Sequence, residues 1–214
     1  MGVVQFRHDY DPGLLETILV KANRYKEQLS GKRHLNLRYI RAAHTHIPEI
    51  SELVNDKVRL EWLSELAGTR LEPYPISVIT AIVTFMGAHD GVIPWHNDGV
   101  PCSELIPLQL DGVEGGELTV YRGHYEDGLT RVERGEELPE DRQLRISHAP
   151  GYSTMGQYMR LLHRVSPIRS GTRVTLNLNL RSASRPYIDD NSLCYLAADN
   201  PDLGFISEMV QDVR

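Results

Sequence analysis

The sequence predicts an α+β fold, a jelly roll of strands with helices packed against its outer sheet. Three observations carry this expectation. Between residues 11 and 67 apolar side chains recur at helical spacing. From Ile76 onward the signal changes to short strand-like runs punctuated by Gly, Pro and Asp. Residues 173–181 then alternate strictly, with Val174, Leu176, Leu178 and Leu180 on one side and Arg173, Thr175, Asn177, Asn179 and Arg181 on the other. That is the period of a strand with one apolar and one polar face.

The first helix starts at Asp11-Pro12-Gly13, carries Leu14, Ile18, Ala22, Tyr25 and Leu29 along one side, and stops at Gly31. A second helix is expected over residues 48–67. Its row Ile50, Val54, Val58, Trp62 and Leu66, backed by Leu53 and Leu63, makes an apolar stripe suited to a sheet. Strands follow at 76–86, 104–110, 117–122, 143–147, 157–165 and 173–181. Residues 122–141 are rich in Glu, Arg, Gly and Asp and read as a solvated surface excursion, with a lid as the second reading. Beyond the last strand lie Tyr187, Tyr195 and Phe205, and Asn200-Pro201-Asp202 opens a short helix with Leu203, Ile206, Met209 and Val210 as its apolar side. Such a helix is suited either to covering the barrel or to pairing with a second copy in a homodimer. The chain is thus expected to be one domain: residues 1–75 as helical support, 76–181 as jelly-roll core and 182–214 as C-terminal extension.

The 214 residues suit one core, and 41% hydrophobic content supports burial without any run long enough to span a bilayer. The first residues mix charged with apolar side chains and lack a signal peptide's apolar run, so a cytoplasmic location without membrane partners is expected. Cys102 and Cys194 make no disulfide framework and read as reduced thiols, Cys102 bordering the expected pocket. A net charge of −6 offers no broad basic footprint and argues against nucleic acid as a partner.

The chemistry gathers at His96-x-Asp98 and His163. Two imidazoles and a carboxylate on one face of a metal, with the opposite positions open, suit a non-haem Fe(II) centre that activates oxygen. On an extended segment His96 and Asp98 point the same way, and His163 must reach them from a distant strand. Arg173 lies on the polar face of the last strand, where a buried guanidinium needs an anionic partner. A dicarboxylic cosubstrate would supply it, gripped by the planar fork with Thr175 beside it. His44-x-His46 precedes Pro48 with no carboxylate at matching spacing and reads as structural, while His89-Asp90 reads as the approach to the metal strand.

In order along the chain, Pro94-Trp95-His96-Asn97-Asp98, Gly115-Gly116-Glu117-Leu118, His163-Arg164-Val165 and Gly171-Thr172-Arg173-Val174-Thr175-Leu176 resemble the Fe(II)- and 2-oxoglutarate-dependent dioxygenases, and within them the prolyl-4-hydroxylase-like group. The resemblance covers roughly residues 76–181. It implies a cupin-like double-stranded β-helix, with His96, Asp98 and His163 as catalytic iron ligands. It also implies that 2-oxoglutarate chelates the metal through its keto and neighbouring carboxylate oxygens, its far carboxylate held by Arg173 with Thr175. Oxygen, Fe(II) and 2-oxoglutarate are then the cofactors, and hydroxylation of a C–H bond with release of succinate and CO2 the reaction. Arg173 stands where prolyl hydroxylases commonly carry lysine. Asp98 fills the position that related halogenases open to chloride.

Asn177, Asn179 and Arg181 share the strand face of Arg173 and are candidate substrate contacts, Arg181 equally a candidate for a surface ion pair. With little protein-docking apparatus in the sequence, the expected partner is a small-molecule substrate, an amino acid or natural-product intermediate. A protein-residue (prolyl-type) hydroxylase and a non-catalytic jelly-roll metal- or ligand-binding protein are the rival readings.

Overall fold

A computed structural model describes residues 2–32, 37–88 and 90–184. The expected helix near Asn200, together with Cys194 and His89, lies outside the described residues. Two antiparallel sheets face each other. The larger runs β1 (Val3–Arg7), β10 (Tyr152–Gly156), β7 (Cys102–Gly115), β12 (Ile168–Ser182), β5 (Ala81–Gly87), β3 (Arg38–Ile40) and β2 (Gly31–Lys32), with β4 (Leu71–Pro73) on the end of β12. The smaller runs β6 (Ile93–His96), β11 (His163–Val165), β8 (Leu118–Tyr121) and β9 (Gln143–Ile146). Strands distant in sequence become neighbours, as a jelly roll requires. β1, β2, β3 and β4 fall within the stretch expected to be helical support, yet all four join the larger sheet.

The helices cover the outer face of that sheet. In α1 (Pro12–Leu29) the Asp11 carboxylate caps the first turn, Oδ1 accepting from the Gly13 N–H at 2.9 Å. Ile18 and Ala22 of this helix bury against Val83 and Phe85 of β5 and Val174, Leu176 and Leu178 of β12, with Ile50, Leu53 and Val54 of α3 (Pro48–Asn55) completing the layer. Val174, Leu176 and Leu178 of β12 therefore face the helices, and Arg173, Thr175, Asn177 and Asn179 turn toward the space between the sheets.

The single helix expected over 48–67 is two. Asp56 is extended (φ −65°, ψ 110°), ends α3 and caps α4 (Lys57–Ala67), its Oδ1 accepting from the N–H groups of Val58 at 2.9 Å and Arg59 at 3.2 Å. Capping chemistry overrides the apolar period here. The break turns Arg59 and Leu63 inward and leaves Val58 76% and Trp62 43% exposed, so these two members of the expected stripe are not core, whereas Leu63 and Leu66 pack with Leu71, Cys102 and Leu180. Arg59 meets a buried partner: its Nε and Nη2 donate to Glu104 Oε2 at 2.9 and 2.6 Å, Nη1 donates to the Leu53 carbonyl at 3.1 Å, and Tyr10 donates to Glu104 Oε1 at 2.7 Å.

Other boundaries also shift. The strand expected from residue 76 begins as a helical turn, α5 (Ser77–Thr80), because the Thr80 hydroxyl donates to the carbonyls of Tyr74 at 2.7 Å and Ile76 at 2.9 Å. Within 157–165 only β11 is strand, and a 3₁₀ turn at Tyr158–Arg160 precedes it. The 122–141 excursion contains α6 (Tyr125–Glu133), whose Leu129 and Val132 pack on Tyr121, Leu138 and Leu162, away from the space between the sheets. His44 and His46 sit on α2 (Ala43–His46), where His44 Nε2 lies 3.4 Å from the Ser77 hydroxyl. No helix among the described residues is long and apolar enough to cross a membrane.

Candidate metal centre and cosubstrate pocket

His96 ends β6 and His163 begins β11, and the two are direct cross-strand partners in the smaller sheet. Their rings lie 4.1 Å apart. Asp98, two residues past the end of β6, is held by its N–H donating to the Tyr158 carbonyl at 3.1 Å. Its Oδ1 lies 3.3 Å from His96 Nε2 and 3.5 Å from His163 Nε2. The three ligand atoms fall within 4.8 Å of one another. Each imidazole is oriented from behind: Nδ1 of His96 lies 2.8 Å from the Pro94 carbonyl and Nδ1 of His163 lies 2.9 Å from the Leu161 carbonyl. A carbonyl only accepts, so both Nδ1 atoms carry the proton and both Nε2 lone pairs are left for a metal. Burial opposes the Asp98 charge, yet the two histidines outweigh it and hold the carboxyl far below the usual aspartate range. Two nitrogens and one anionic oxygen converging from one side fit a divalent ion of the Fe(II) type, with the remaining positions facing the cavity.

That cavity, about 430 Å³, is bounded by both sheets and lined by His96, Asp98 and His163 together with Arg173 and Thr175. Arg173 is 4% exposed. Its Nη1 donates to the Gly116 carbonyl and Nη2 lies 2.6 Å from Met86 Sδ, the cross-strand neighbour on β5. Nε has no partner, and among the described residues no carboxylate is hydrogen-bonded to the guanidinium. Burial pulls its pKa down to about 10, against the attraction of Glu117. A buried cation held only by a carbonyl and a thioether has the electrostatic character of an anion site. Thr175 Oγ1 and Asn177 Oδ1, next along the same face, are likewise buried without partners.

The Gly115-Gly116 turn makes the Arg173 contact geometrically feasible. Gly115 has φ +86°, and a Cβ there would lie 2.1 Å from the Pro167 carbonyl oxygen. Only glycine lets the chain leaving β7 pass this close to β12 and bring the Gly116 carbonyl to the guanidinium.

The remaining expected contacts divide. Asn179 lines the cavity, but its amide is consumed by the protein: Oδ1 accepts from the Ser103 hydroxyl at 2.6 Å and Nδ2 donates to the Ile79 carbonyl. Arg181 is not among the lining residues and pairs with Glu72, its cross-strand partner on β4, at 2.7 Å. Cys102 does not border the pocket either; it packs with Leu63, Leu71, Met155 and Leu180, and burial, aided by Glu104, pushes its thiol up to about 12. Sequence reasoning missed His148 and Tyr158. Both line the cavity with side-chain polar atoms buried and unpartnered, and Tyr158 packs its ring 4.8 Å from His163. Their positions depend on cross-sheet register, which no local spacing reports.

Comparison with solved structures places this architecture. The fold is the double-stranded β-helix of the non-haem iron, 2-oxoglutarate-dependent oxygenases. Among its neighbours is the non-haem α-ketoglutarate-dependent carbocyclase SnoK from nogalamycin biosynthesis, with TM-score 0.68, 16% identity, and coverage of 91% of this chain and 86% of that one. HygX from Streptomyces hygroscopicus, solved with nickel and 2-oxoglutarate bound, aligns with TM-score 0.65 at 13% identity over 85% of this chain and 83% of that one. A Pseudomonas putida prolyl-4-hydroxylase aligns with TM-score 0.59 at 12% identity over 85% of this chain and 92% of that one. No family model and no curated protein sequence matches the chain.

Proposed function

We propose that the protein is an Fe(II)- and 2-oxoglutarate-dependent oxygenase that hydroxylates an unactivated C–H bond of a small molecule. The observation that carries this is one cavity lined both by a His-Asp-His triad and by a buried arginine that no carboxylate of the described residues pairs with. Iron, when bound, would supply oxygen activation coupled to conversion of 2-oxoglutarate to succinate and CO2.

The chain's own residues do the rest. His96, Asp98 and His163 would hold the ion, with the Pro94 and Leu161 carbonyls fixing both imidazole tautomers. Arg173, joined by Thr175, would bind the distal carboxylate and so set the cosubstrate's orientation. Ile79, Ile82, Val100, Leu105 and Leu118 line the same cavity and limit water at the reacting centre.

A volume of about 430 Å³ falls within the usual range for small-molecule sites. The nogalamycin-pathway neighbours support a natural-product intermediate as substrate, and the prolyl-4-hydroxylase neighbours keep a protein residue as the second reading. Purified, Fe(II)-loaded protein is expected to release succinate only when both oxygen and 2-oxoglutarate are present, and His163→Ala to release none. No oxygen-dependent succinate above the His163→Ala level with any small-molecule or peptide panel would favour a binding protein instead.

A further inference from the structure

We propose that His148 is a second anchor for the distal carboxylate, placed beside Arg173, and that the pair makes the pocket prefer a 2-oxo dicarboxylate to a 2-oxo monocarboxylate. This rests on the reading of the site as a 2-oxoglutarate pocket and assigns a role to a residue that the motif does not contain. β9 pairs antiparallel with β8, Ile146 opposite Leu118. His148 lies two residues past the end of β9, and its ring is near enough to feel the charges of both Arg173 and Glu117. His148 and Arg173 line the same cavity.

The imidazole has one donor and one acceptor when neutral, and both ring nitrogens are buried with no partner among the described residues. Leaving such atoms unsatisfied costs stability unless a ligand completes them. Glu117, the carboxylate whose charge His148 feels, is engaged by the Ser166 hydroxyl, from which it accepts. Gly116 leaves the corner open, since a Cβ there would stand 3.4 Å from Arg173 Nη1 and 3.0 Å from Ile168. Burial, reinforced by the Arg173 charge, lowers the His148 pKa to about 3. The ring therefore offers a neutral N–H to an anion without placing a second cation against the guanidinium.

The test is anaerobic calorimetric titration of the Fe(II)-loaded protein with 2-oxoglutarate and, separately, with pyruvate, which keeps the 2-oxo acid end and lacks the distal carboxylate. His148→Ala is expected to weaken 2-oxoglutarate binding about tenfold, the worth of roughly one charge-assisted hydrogen bond, and to leave pyruvate binding unchanged. His148→Asn, which keeps an N–H donor, should recover part of the loss, and matching thermal melts check that both variants are folded. An unchanged 2-oxoglutarate affinity in His148→Ala, or an equal loss for pyruvate, overturns the role of His148 while leaving the pocket intact. Wild-type protein that binds iron but no 2-oxoglutarate overturns the pocket itself and the anchor with it.

Discussion

The two faces of the larger sheet each bury an arginine, and they treat it in opposite ways. On the outer face Arg59 spends all three of its nitrogens, two on Glu104 and one on the Leu53 carbonyl, while Tyr10 satisfies the other oxygen of Glu104. On the inner face Arg173 has a carbonyl, a thioether and an idle Nε, and its neighbours Thr175, Asn177 and His148 hold idle atoms of their own. A closed network rigidifies the scaffold, locking α4 to β7. An open network carries a folding cost that only a ligand can offset. The contrast separates a charge satisfied within the protein from one that is not.

The comparison can be broken most severely on the outer face. Arg59→Ala strands the Glu104 carboxylate in the core and is expected to lower unfolding free energy by about 3–5 kcal/mol in urea titrations, while protein that remains folded keeps its 2-oxoglutarate affinity. On the inner face, Arg173→Ala is expected to weaken 2-oxoglutarate binding by about 30-fold, the equivalent of about 2 kcal/mol for hydrogen bonds to a charged group. Its thermal midpoint should hold or rise, because a buried cation without a counter-charge is removed. Thr175→Val sharpens the point with a near-isosteric change: a loss of about fivefold in 2-oxoglutarate affinity, or about 1 kcal/mol, with no loss of stability, because the unsatisfied hydroxyl is replaced by a methyl. The smallest effect belongs to the solvent side of the helical layer. Val58→Lys should change stability by no more than about 0.5 kcal/mol in the same urea titration, whereas a single uninterrupted helix with Val58 in its buried stripe would make that change severe.

What was legible in the sequence follows the range of the interactions. The alternation of residues 173–181 is local, and it correctly separates Val174, Leu176 and Leu178, which meet the helices, from Arg173, Thr175 and Asn177, which meet the cavity. His96-x-Asp98 is also local, and its meeting with His163 came from motif order rather than spacing. At Asp56 a local rule misled, since the i, i+4 apolar row runs through a residue whose side chain is better used as a cap. β1 and β4 are short, three to five residues, and owe their strand state to pairing with β10 and β12, so no periodicity announces them. His148 and Tyr158 were invisible for the same reason: register across the sheets brings them to the pocket, and their own neighbours in sequence carry no sign of it. Arg181 shows the limit of a period-two argument, which gives a face but not how far along it the cavity extends.

The central claim is that the triad and Arg173 bind one ligand between them. Titrating 2-oxoglutarate into Fe(II)-loaded protein without oxygen, and following the visible metal-to-ligand charge-transfer absorption, tests it directly. The expected result is a saturable band in the wild type that needs far more 2-oxoglutarate in Arg173→Ala and disappears in His163→Ala. A wild type with iron demonstrably bound and no band at saturating 2-oxoglutarate would contradict the account.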